Sequence, residues 1–489
     1  MKSLIWAVLL LSVSLSAQTL PGTSLTIYNQ NFALVRERVP LDLTSGINRV
    51  QFTDVTAHLE PASVVLRDPL GLRSLQVIEQ NYRNDPVTQE ALLSLYEGKT
   101  IEFQIDPTNT VKGRIIRSGY LPPFLVSGQY QQPAYQQPLI EVDGQLRFGL
   151  PGIPLFPSLS GDTILKPTLN WLLRADKSGH GDAELSYVTG GMSWQADYNL
   201  VAAEKGDALD IVGWVTMENH TGHTFENARI KLLAGDVNKI QPTDYRDFQY
   251  VAAKAMASNE AAAPPVTERS FDEYHMYTIA QATTLHDQEV KQVEFVHASN
   301  AVGKRIYVYD GANIDWTQYR YWAPENIRNN RDFGTQCNKK VWVMQQFVNS
   351  EKNGLGIPLP KGRLRFYRRD ADGNLEFTGE SMIDHTPKDE TVRVYTGNAF
   401  DLTGERKRTN YVIDLNKQFV DESFEIRLRN HKKEPVTFMV VERLYRGLNW
   451  RITEESQQHK KTESQQMEYQ VTVAPDSEQV LTYTVHYTW

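Results

Sequence analysis

Cysteine is almost absent from this sequence, since Cys337 is the only one in 489 residues. No intramolecular disulfide can form, so hydrophobic cores must stabilise the chain by themselves. The length is too great for a single core and predicts about three to four domains. Cys337 lies near lysines in GTQCNKK, but no histidine partner is evident, and we interpret the thiol as incidental rather than catalytic.

The chain also lacks an excess of positive charge. It carries 51 Lys and Arg against 59 Asp and Glu, a formal net charge of −8, and the two signs are interspersed. Proteins that bind nucleic acid usually have a basic patch and a high isoelectric point. We therefore do not expect nucleic acid as a partner.

Long apolar runs are missing except near the amino terminus, in MKSLIWAVLLLSVSLSAQ. One lysine, an apolar run from Leu4 to Val13 and the small residues that follow are typical of a secretory signal peptide. The run is too short to span a bilayer, which takes about 20 residues. We expect a signal peptide over residues 1–17 and an exported protein without a transmembrane span, whether periplasmic, at the outer surface or secreted.

Motifs for catalysis and metal binding are missing as well. The sequence contains no P-loop, GxSxG elbow, dinucleotide fingerprint or HExxH. The stretch NHTGH offers His220 and His223, but its flanks predict strands around a turn, and a third metal ligand is lacking. We predict no catalytic, cofactor-binding or metal-binding residue and expect no cofactor.

Alternation of apolar and polar residues is abundant, as in LTIYNQNFALVRERVPLDL and FEIRLRN. Such runs, separated by Asn, Gly and Ser, predict strands joined by turns, whereas helical spacing is convincing only in DPVTQEALLSLYEG. The stretch RLRFYRRDADGNLEFTGE predicts a hairpin with Asp372 and Gly373 at its tip. We predict an all-β protein of several β-sandwich or small-barrel domains in tandem, ending in an immunoglobulin-like sandwich.

Turns and changes in composition predict the domain boundaries. We expect an N-terminal β-sandwich over 20–88, a small barrel-like module over 89–170, a central sandwich over 171–420 and the immunoglobulin-like sandwich over 421–489. The Ala- and Pro-rich stretch AAKAMASNEAAAPPV predicts a mobile insertion near residues 240–270 of the central domain.

The stretch IDHTPKDE gathers three carboxylates, a lysine and a histidine around a proline. If the strand before this stretch continues to His385, Asp384 and His385 point to opposite faces and would not address one ligand together. Aspartate commonly bonds to the backbone of turns, and we interpret the stretch as a turn. A binding surface, a metal site or an acid–base pair is the alternative, and each needs partners from elsewhere. The residues of this turn, whose role stays unassigned, are Asp384, His385, Lys388, Asp389 and Glu390.

Aromatic residues cluster in DWTQYRYWAPE. If this segment is a strand, Trp316 and Trp322 share one face, while Tyr319 and Tyr321 share the other. Exposed aromatic rings bind sugars or partner proteins, whereas buried rings only pack. Packing is the commoner role in a chain with 23 Tyr and 9 Trp, yet this cluster is the leading candidate for a recognition surface.

The closing residues, VLTYTVHYTW, alternate apolar and polar side chains up to a terminal aromatic residue. The same pattern occurs in the last strand of outer-membrane proteins. Arginines at alternate positions of RLRFYRR and FEIRLRN instead favour the water-facing side of a sandwich. We therefore predict a sandwich strand here and keep an outer-membrane-associated β protein as a weaker alternative.

Several long motifs resemble one family of exported bacterial proteins. They are ELSYVTGGMSWQADYNLV, LDIVGWVTMENHTGHTFENARIKLLAGDVN, FVNSEKNGLGIPLPKGRLRFYRRDADGNLEFTGE, IDHTPKDETVRVYTGNAFDL and EPVTFMVVERLYRGLNW. On these residues the chain is similar to the family of domain of unknown function 4139. The resemblance implies an exported protein of several β-sandwiches and carries no assigned reaction. Related mucoidy-inhibitor-like proteins contain a long coiled coil, and this chain has no heptad run.

For function we expect a non-enzymatic envelope protein that serves as a binding or structural module for a surface polymer or an envelope protein partner. The alternative is a hydrolase of polysaccharide or peptidoglycan, which needs two carboxylates about 5 to 9.5 Å apart in a cleft. The acids that the sequence offers for that role are Glu380, Asp384, Asp389 and Glu390.

Overall fold

A computed structural model describes residues 22–84, 88–121, 124–126, 129–131, 136–157, 164–235, 237–239 and 266–489. The predicted signal peptide lies outside the described residues, and so do residues 240–265 of the predicted insertion.

Strands make up most of the described chain, and the prediction of an all-β fold is confirmed. In chain order the strands are β1 Ser24–Tyr28, β2 Phe32–Leu43, β3 Gly46–Thr53, β4 Val65–Arg67, β5 Leu75–Arg83, β6 Thr100–Gln104, β7 Thr110–Arg117, β8 Phe124–Val126, β9 Gln129–Gln131, β10 Leu139–Val142, β11 Gln145–Phe148, β12 Ile153–Leu155, β13 Thr168–Ala175, β14 Gly179–Gly190, β15 Met192–Ala202, β16 Leu209–Asn219, β17 Phe225–Ala234, β18 Val266–Phe271, β19 Tyr274–Ile279, β20 Thr283–Leu285, β21 Glu289–Ala301, β22 Gly303–Asp310, β23 Lys340–Val348, β24 Gly362–Arg369, β25 Leu375–Ile383, β26 Thr391–Asp414, β27 Phe419–Asn430, β28 Val436–Arg443, β29 Asn449–Glu455, β30 Lys460–Glu463, β31 Gln466–Val473 and β32 Ser477–Thr488.

Helices are short in the described ranges. The predicted helix is present as α1, where the hydroxyl of Thr88 accepts a hydrogen bond from the amide of Ala91 over 3.1 Å and so caps the first turn. Leu93 is its buried residue, and Leu95 is exposed. In the part of the chain that the structure describes, no helix has the length and hydrophobicity needed to cross a membrane. The helices are α1 Gln89–Leu95, α2 Trp316–Tyr319 and α3 Pro324–Asn329, with 3-10 turns at Pro61–Ser63 and Glu351–Asn353.

The first of two compact units contains the described residues of Met1–Trp194, Met217–Ala262 and Arg269–Lys291. Its largest sheet has the order β18-β19-β17-β1-β2-β14-β4, and β20 pairs with β17. Strand β1 runs parallel to β17 and antiparallel to β2. Further sheets have the orders β3-β13-β5, β11-β10-β7-β6-β12 and β8-β9.

The large sheet combines strands that we had predicted to lie in separate domains. Strands β1 and β2 belong to the predicted region 20–88, whereas β14 and β17 belong to the predicted region 171–420. The predicted boundary at 170 falls inside β13, which pairs along its length with β3 and β5. Strands that are distant in sequence complete one sheet, because burial of their apolar faces requires neighbours on both sides.

Alternation of side chains gives this sheet one apolar face. Ile230, Leu25, Val35 and Tyr187 lie side by side across β17, β1, β2 and β14, and all of them are fully buried. The next residue along each strand therefore points to the opposite face.

The second unit contains Gln195–Thr216, Ala263–Glu268 and Gln292–Trp489 in their described parts. It has a sheet of order β21-β16-β15-β24-β25 and a nine-stranded sheet of order β29-β32-β27-β26-β23-β22-β28-β31-β30. The predicted boundary at 420 lies at the start of β27, and one sheet continues through it. The cause is the length of β26, which pairs first with β23 and then, from Leu402 onward, with β27.

The core of the nine-stranded sheet contains a buried ion pair. The Arg406 guanidinium lies 2.9 Å from the Glu442 carboxylate, and the Tyr483 hydroxyl donates a hydrogen bond to the same carboxylate over 2.5 Å. Such hydrogen bonds offset the cost of removing both charges from water. Cys337 is nearby, and its sulfur accepts a hydrogen bond from the Arg406 amide over 3.2 Å.

Candidate anion-binding site

Strand β2 presents two arginines on the outer face of the large sheet. Its sequence FALVRERVPLDL alternates, so Val35 and Val39 are buried while Arg36 and Arg38 point to the opposite face. The apolar residues thus hold the strand in the sheet, and the arginines are left on the surface.

Strand β17 supplies a second pair of cations. In FENARIKLLA, Ile230 and Leu232 are fully buried, and the intervening Arg229 and Lys231 face outward. The two cationic strands do not touch, because β1 lies between them.

Strand β1 has a short side chain at the position where the neighbouring strands β2 and β17 carry long cationic side chains. Ser24 pairs with Arg36 of β2 on one side and with Arg229 of β17 on the other. The small side chain leaves a floor between two rows of long side chains. We call this groove the trough; it encloses about 800 Å³, and its lining includes Gly22, Ser24, Arg36, Arg38, Arg67, Glu184, Arg229, Lys231, Thr278, Ala280 and Ala282.

Positive charge predominates in the trough, since its described lining contains five cationic residues and two carboxylate residues, Glu37 and Glu184. Arg67 is neutralised by Glu184, 2.6 Å away, and Arg38 lies 3.5 Å from Asp182. The remaining cations have no ion pair or side-chain hydrogen bond in the described residues. These uncompensated side chains are Arg36, Arg229 and Lys231.

The crowding of positive charge affects Lys231 directly. Burial lowers the pKa of Lys231, and the nearby charges of Arg269 and Arg36 lower it further. An anion placed between these side chains would relieve the repulsion and favour the charged lysine. The electrostatics of the trough therefore suit a carboxylate, sulfate or phosphate group.

Metal binding has less support from the side chains. In the described ranges, no group of three or more His, Cys, Asp or Glu residues is arranged to hold a metal ion. The trough itself offers guanidinium, ammonium and hydroxyl groups, which are donors suited to anions rather than to cations.

The inner side of the same sheet carries a cluster of ionisable groups. His223 lies between two carboxylates, with Nε2 3.7 Å from Glu37 and Nδ1 3.3 Å from Asp54. The Tyr187 hydroxyl is 3.3 Å from Glu37, and Lys166 pairs with Asp54 over 2.5 Å. Burial raises the pKa of Glu37, while the charge of His223 and the hydrogen bond from Tyr187 oppose the increase.

The two histidines of NHTGH do not come together. His223 faces Glu37 and Asp54, whereas His220 Nδ1 lies 3.1 Å from the side-chain oxygen of Gln288. Strands β16 and β17 flank the stretch, as the sequence predicts.

Asn349 holds the stretch IDHTPKDE between β25 and β26. Its side-chain amide donates hydrogen bonds to the carbonyl oxygens of Ile357 and Pro387 over 2.7 and 2.9 Å. The backbone carbonyl of Asn349 accepts a hydrogen bond from the backbone amide of Asp389. Asp389 has a φ of 67°, which is typical of a residue that closes a turn. The contacts of the stretch with Asn349 are made by its backbone, not by the acidic side chains.

The same arrangement occurs at three strand ends. Asn219, Asn349 and Asn430 are buried, and each donates its side-chain amide to the backbone of a later turn. Each turn contains a residue with positive φ, and these residues are Gln288, Asp389 and Asp476. The repetition indicates that IDHTPKDE is one copy of a structural unit used several times in the chain.

The acids nominated for hydrolysis lie at the surface. Asp384 exposes 94% of its side chain, and Glu380 is exposed 3.9 Å from Arg365. His385 accepts a hydrogen bond from the amide of Lys361 over 3.2 Å, and Lys388 pairs with Glu351 over 2.5 Å. Asp389 and Glu390 are exposed as well.

The aromatic segment is not a strand, and the alternation that we considered for it does not apply. Trp316–Tyr319 forms α2, which Asp315 begins by accepting a hydrogen bond from the amide of Thr317. Tyr319 packs edge-on against Trp322 and Phe333. The described tyrosines of the cluster thus differ in exposure, since Tyr321 is 89% exposed and Tyr319 is half-buried.

Arg446 anchors this segment to the nine-stranded sheet. Its guanidinium donates to the carbonyl oxygens of Ile327, Asn330 and Phe333 over 2.7 to 3.0 Å. The ion pair with Glu422, 2.7 Å away, orients the arginine from the other side. Tyr321 is therefore an exposed ring that precedes the residues held by Arg446.

Reasoning from the sequence did not nominate the trough. The signal was present as cations at alternate positions, Arg36 and Arg38 in VRERV and Arg229 and Lys231 in ARIKL. Each pair reads as the ordinary polar face of a strand. Only the pairing of β1 with both strands shows that the two faces adjoin.

Comparison with known proteins adds the family. The profile of a family described as Domain of unknown function (DUF4139) matches residues 183–489, which is more than half of the chain. The match includes β17 of the trough but not β1 and β2. A comparison with curated proteins found no match. The match of the profile confirms the family suggested by the motifs, and the chain belongs to the family of Domain of unknown function DUF4139.

Proposed function

We propose that this protein is an exported, non-enzymatic envelope protein that binds the anionic groups of a surface polymer in the trough. The observation that carries the proposal is the set of three uncompensated cations, Arg36, Arg229 and Lys231, around one groove of about 800 Å³. The signal-peptide pattern supports export.

The local charge is unusual for this chain. The whole protein has a formal net charge of −8, yet the trough concentrates cations, and three of them have no carboxylate partner among the residues that the structure describes. Hydrogen bonds to charged groups contribute about 1.5–3 kcal/mol each, so a ligand with several anionic groups would gain from each contact. A groove of this volume lies in the range of ligand-binding clefts, about 300–1,000 Å³.

Hydrolysis has weaker support. A glycoside hydrolase needs two carboxylates that face one cleft. Of the two carboxylate residues lining the trough, Glu184 is paired with Arg67, and the Glu37 side chain contacts Tyr187 and His223 on the inner side of the sheet. The geometry therefore favours binding over catalysis.

The test is calorimetric titration of the chain, less its predicted signal peptide, with heparin and with alginate at low ionic strength. Heparin presents sulfate groups and alginate carboxylates, so the pair covers two anion chemistries. We expect binding of at least one, and a loss of about tenfold or more in affinity for the variant Arg36→Ala/Arg229→Ala.

The matched control is Arg49→Ala/Arg147→Ala, which removes the same charge from exposed positions of β3 and β11. This variant should bind like the parent. Equal losses of affinity in both double variants would mean that only the overall charge matters. If neither heparin nor alginate binds, the proposed function is excluded.

A further inference from the structure

We infer that the occupant of the trough is a linear acidic polysaccharide that lies along β1 and contacts cations on both sides. This inference rests on the proposed function and adds the class of polymer and the direction of its chain. It is carried by the register of three neighbouring strands.

Across the trough, the cations face each other over one intervening strand. Arg36 and Arg229 are both paired with Ser24, on β2 and β17 respectively. Neighbouring strands lie about 4.8 Å apart, so the backbones that carry these two arginines are separated by about 10 Å. That width admits an extended polymer chain between the two rows of side chains.

Along the trough, the cations are staggered. Lys231 pairs with Thr26, two residues further along β1 than Ser24. Arg38, which also lies 3.5 Å from Asp182, is two residues beyond Arg36 in the opposite direction, towards Gly22. With a rise of about 3.3 Å per residue, the cations extend over about 13 Å of β1. A single compact anion cannot contact both ends, whereas a linear chain with repeated charges can.

The floor of the trough suits sugars better than nucleic acid bases. Ser24 supplies a hydroxyl group on the floor, and Thr278 supplies another at the edge of the trough, where it pairs with Lys231 on the side of β17 away from β1. Among the described residues that line the trough there is no aromatic side chain. Proteins that bind single-stranded nucleic acid stack its bases on such side chains, so this lining disfavours nucleic acid. The hydroxyl and cationic groups that it offers can bind the hydroxyl and anionic groups of an acidic sugar.

The experiment compares ligands of increasing length on the same chain. The probes are inorganic sulfate, heparin di-, tetra- and octasaccharides, and an oligothymidylate with the same charge as the octasaccharide, titrated at several salt concentrations. We expect affinity to increase from sulfate to the octasaccharide, with the oligothymidylate weaker than the octasaccharide. We also expect Arg38→Ala and Lys231→Ala, at opposite ends of the trough, to weaken the octasaccharide more than the disaccharide. Each variant should reduce the slope of log affinity against log salt by about one.

The outcomes separate the two proposals. If sulfate or the disaccharide binds as tightly as the octasaccharide, the linear mode is overturned while anion binding in the trough stands. Tighter binding of the oligothymidylate would overturn the assignment to a polysaccharide. If none of these polyanions binds and alginate does not bind either, the proposed function fails as well. Arg49→Ala/Arg147→Ala should leave the dependence on length unchanged.

Discussion

The side-chain amide of Asn349 donates a hydrogen bond to the carbonyl oxygen of Pro387 over 2.9 Å. The contact joins the end of β23 to the connection between β25 and β26, and it uses the backbone of IDHTPKDE rather than its acids. A carbonyl held in this way satisfies a backbone group that a turn would otherwise leave unpaired. The hydrogen bond therefore stabilises the turn through its backbone.

Replacement of Asn349 should therefore be costly. Asn349→Ala removes a buried donor from several carbonyl oxygens, and each loss leaves a polar group without a partner at a cost of about 1–3 kcal/mol. We expect a decrease of at least that size in the free energy of unfolding, measured by denaturant titration. The exposed Asp384 is the control, since Asp384→Ala should change stability by less than about 0.5 kcal/mol. A larger loss for Asp384→Ala than for Asn349→Ala would contradict the structural role of the asparagine.

Glu37 should make stability decrease as pH rises. Burial raises the pKa of Glu37 above its ordinary 4.5, so the folded state binds this proton more tightly than the unfolded state. The contribution to stability is complete below about pH 4.5 and is lost as pH rises through the raised pKa.

In Glu37→Gln, the loss of stability that accompanies ionisation of Glu37 should be absent. The unfolding free energy of the variant, relative to the parent, should increase as pH rises from about 4.5 towards neutrality. Denaturant titrations at a series of pH values measure the difference, with the exposed Glu376→Gln as control. A difference that is constant over this range would show that Glu37 does not titrate in this way.

Lys231 should cost stability in the absence of a ligand. Its pKa is lowered, chiefly by burial and then by Arg269 and Arg36, so the charged form is disfavoured in the folded state. This cost is present below the folded pKa and disappears above the unfolded value of about 10.5. At neutral pH and low salt, Lys231→Gln should raise the Tm, and the gain should shrink as salt screens the repulsion. Scanning calorimetry at low and high salt measures this; Lys112→Gln, on an exposed face of β7, should show no such gain.

The aromatic segment should depend on Arg446 and not on Tyr321. Arg446→Lys keeps the charge but loses the spread of donors that reaches Ile327, Asn330 and Phe333. We expect faster hydrogen exchange of the amides in residues 316–333, measured by mass spectrometry. Tyr321→Ala, at a ring that is 89% exposed, should leave both exchange and Tm unchanged. Unchanged exchange in Arg446→Lys would mean that the segment is held by its own packing.

Local patterns predicted much of the fold. The alternation in FALVRERVPLDL places Val35 inward and Arg36 outward whatever the neighbours of β2 are, because successive side chains of a strand must point to opposite faces. The aromatic segment, which would alternate if it were a strand, forms short helices for a local reason as well. Asp315 and Pro324 are start signals for short helices, and they outweigh the aromatic alternation between them.

The order of strands was beyond prediction. Arg36 and Arg229 are brought to the same trough because β1 pairs in parallel with β17, a strand about two hundred residues later. The same applies to Asn349 and Pro387, and to the predicted boundaries at 170 and 420, which real sheets cross.

The sequence by itself determined the all-β class, the family and which side chains share a face, since these depend on periodicity and on motifs that are local in the chain. The tertiary structure alone decided which faces adjoin. Pairing between distant strands depends on the burial of whole apolar surfaces and on register, and neither is encoded in any short stretch. For this reason the trough emerges from the sheet and not from a motif.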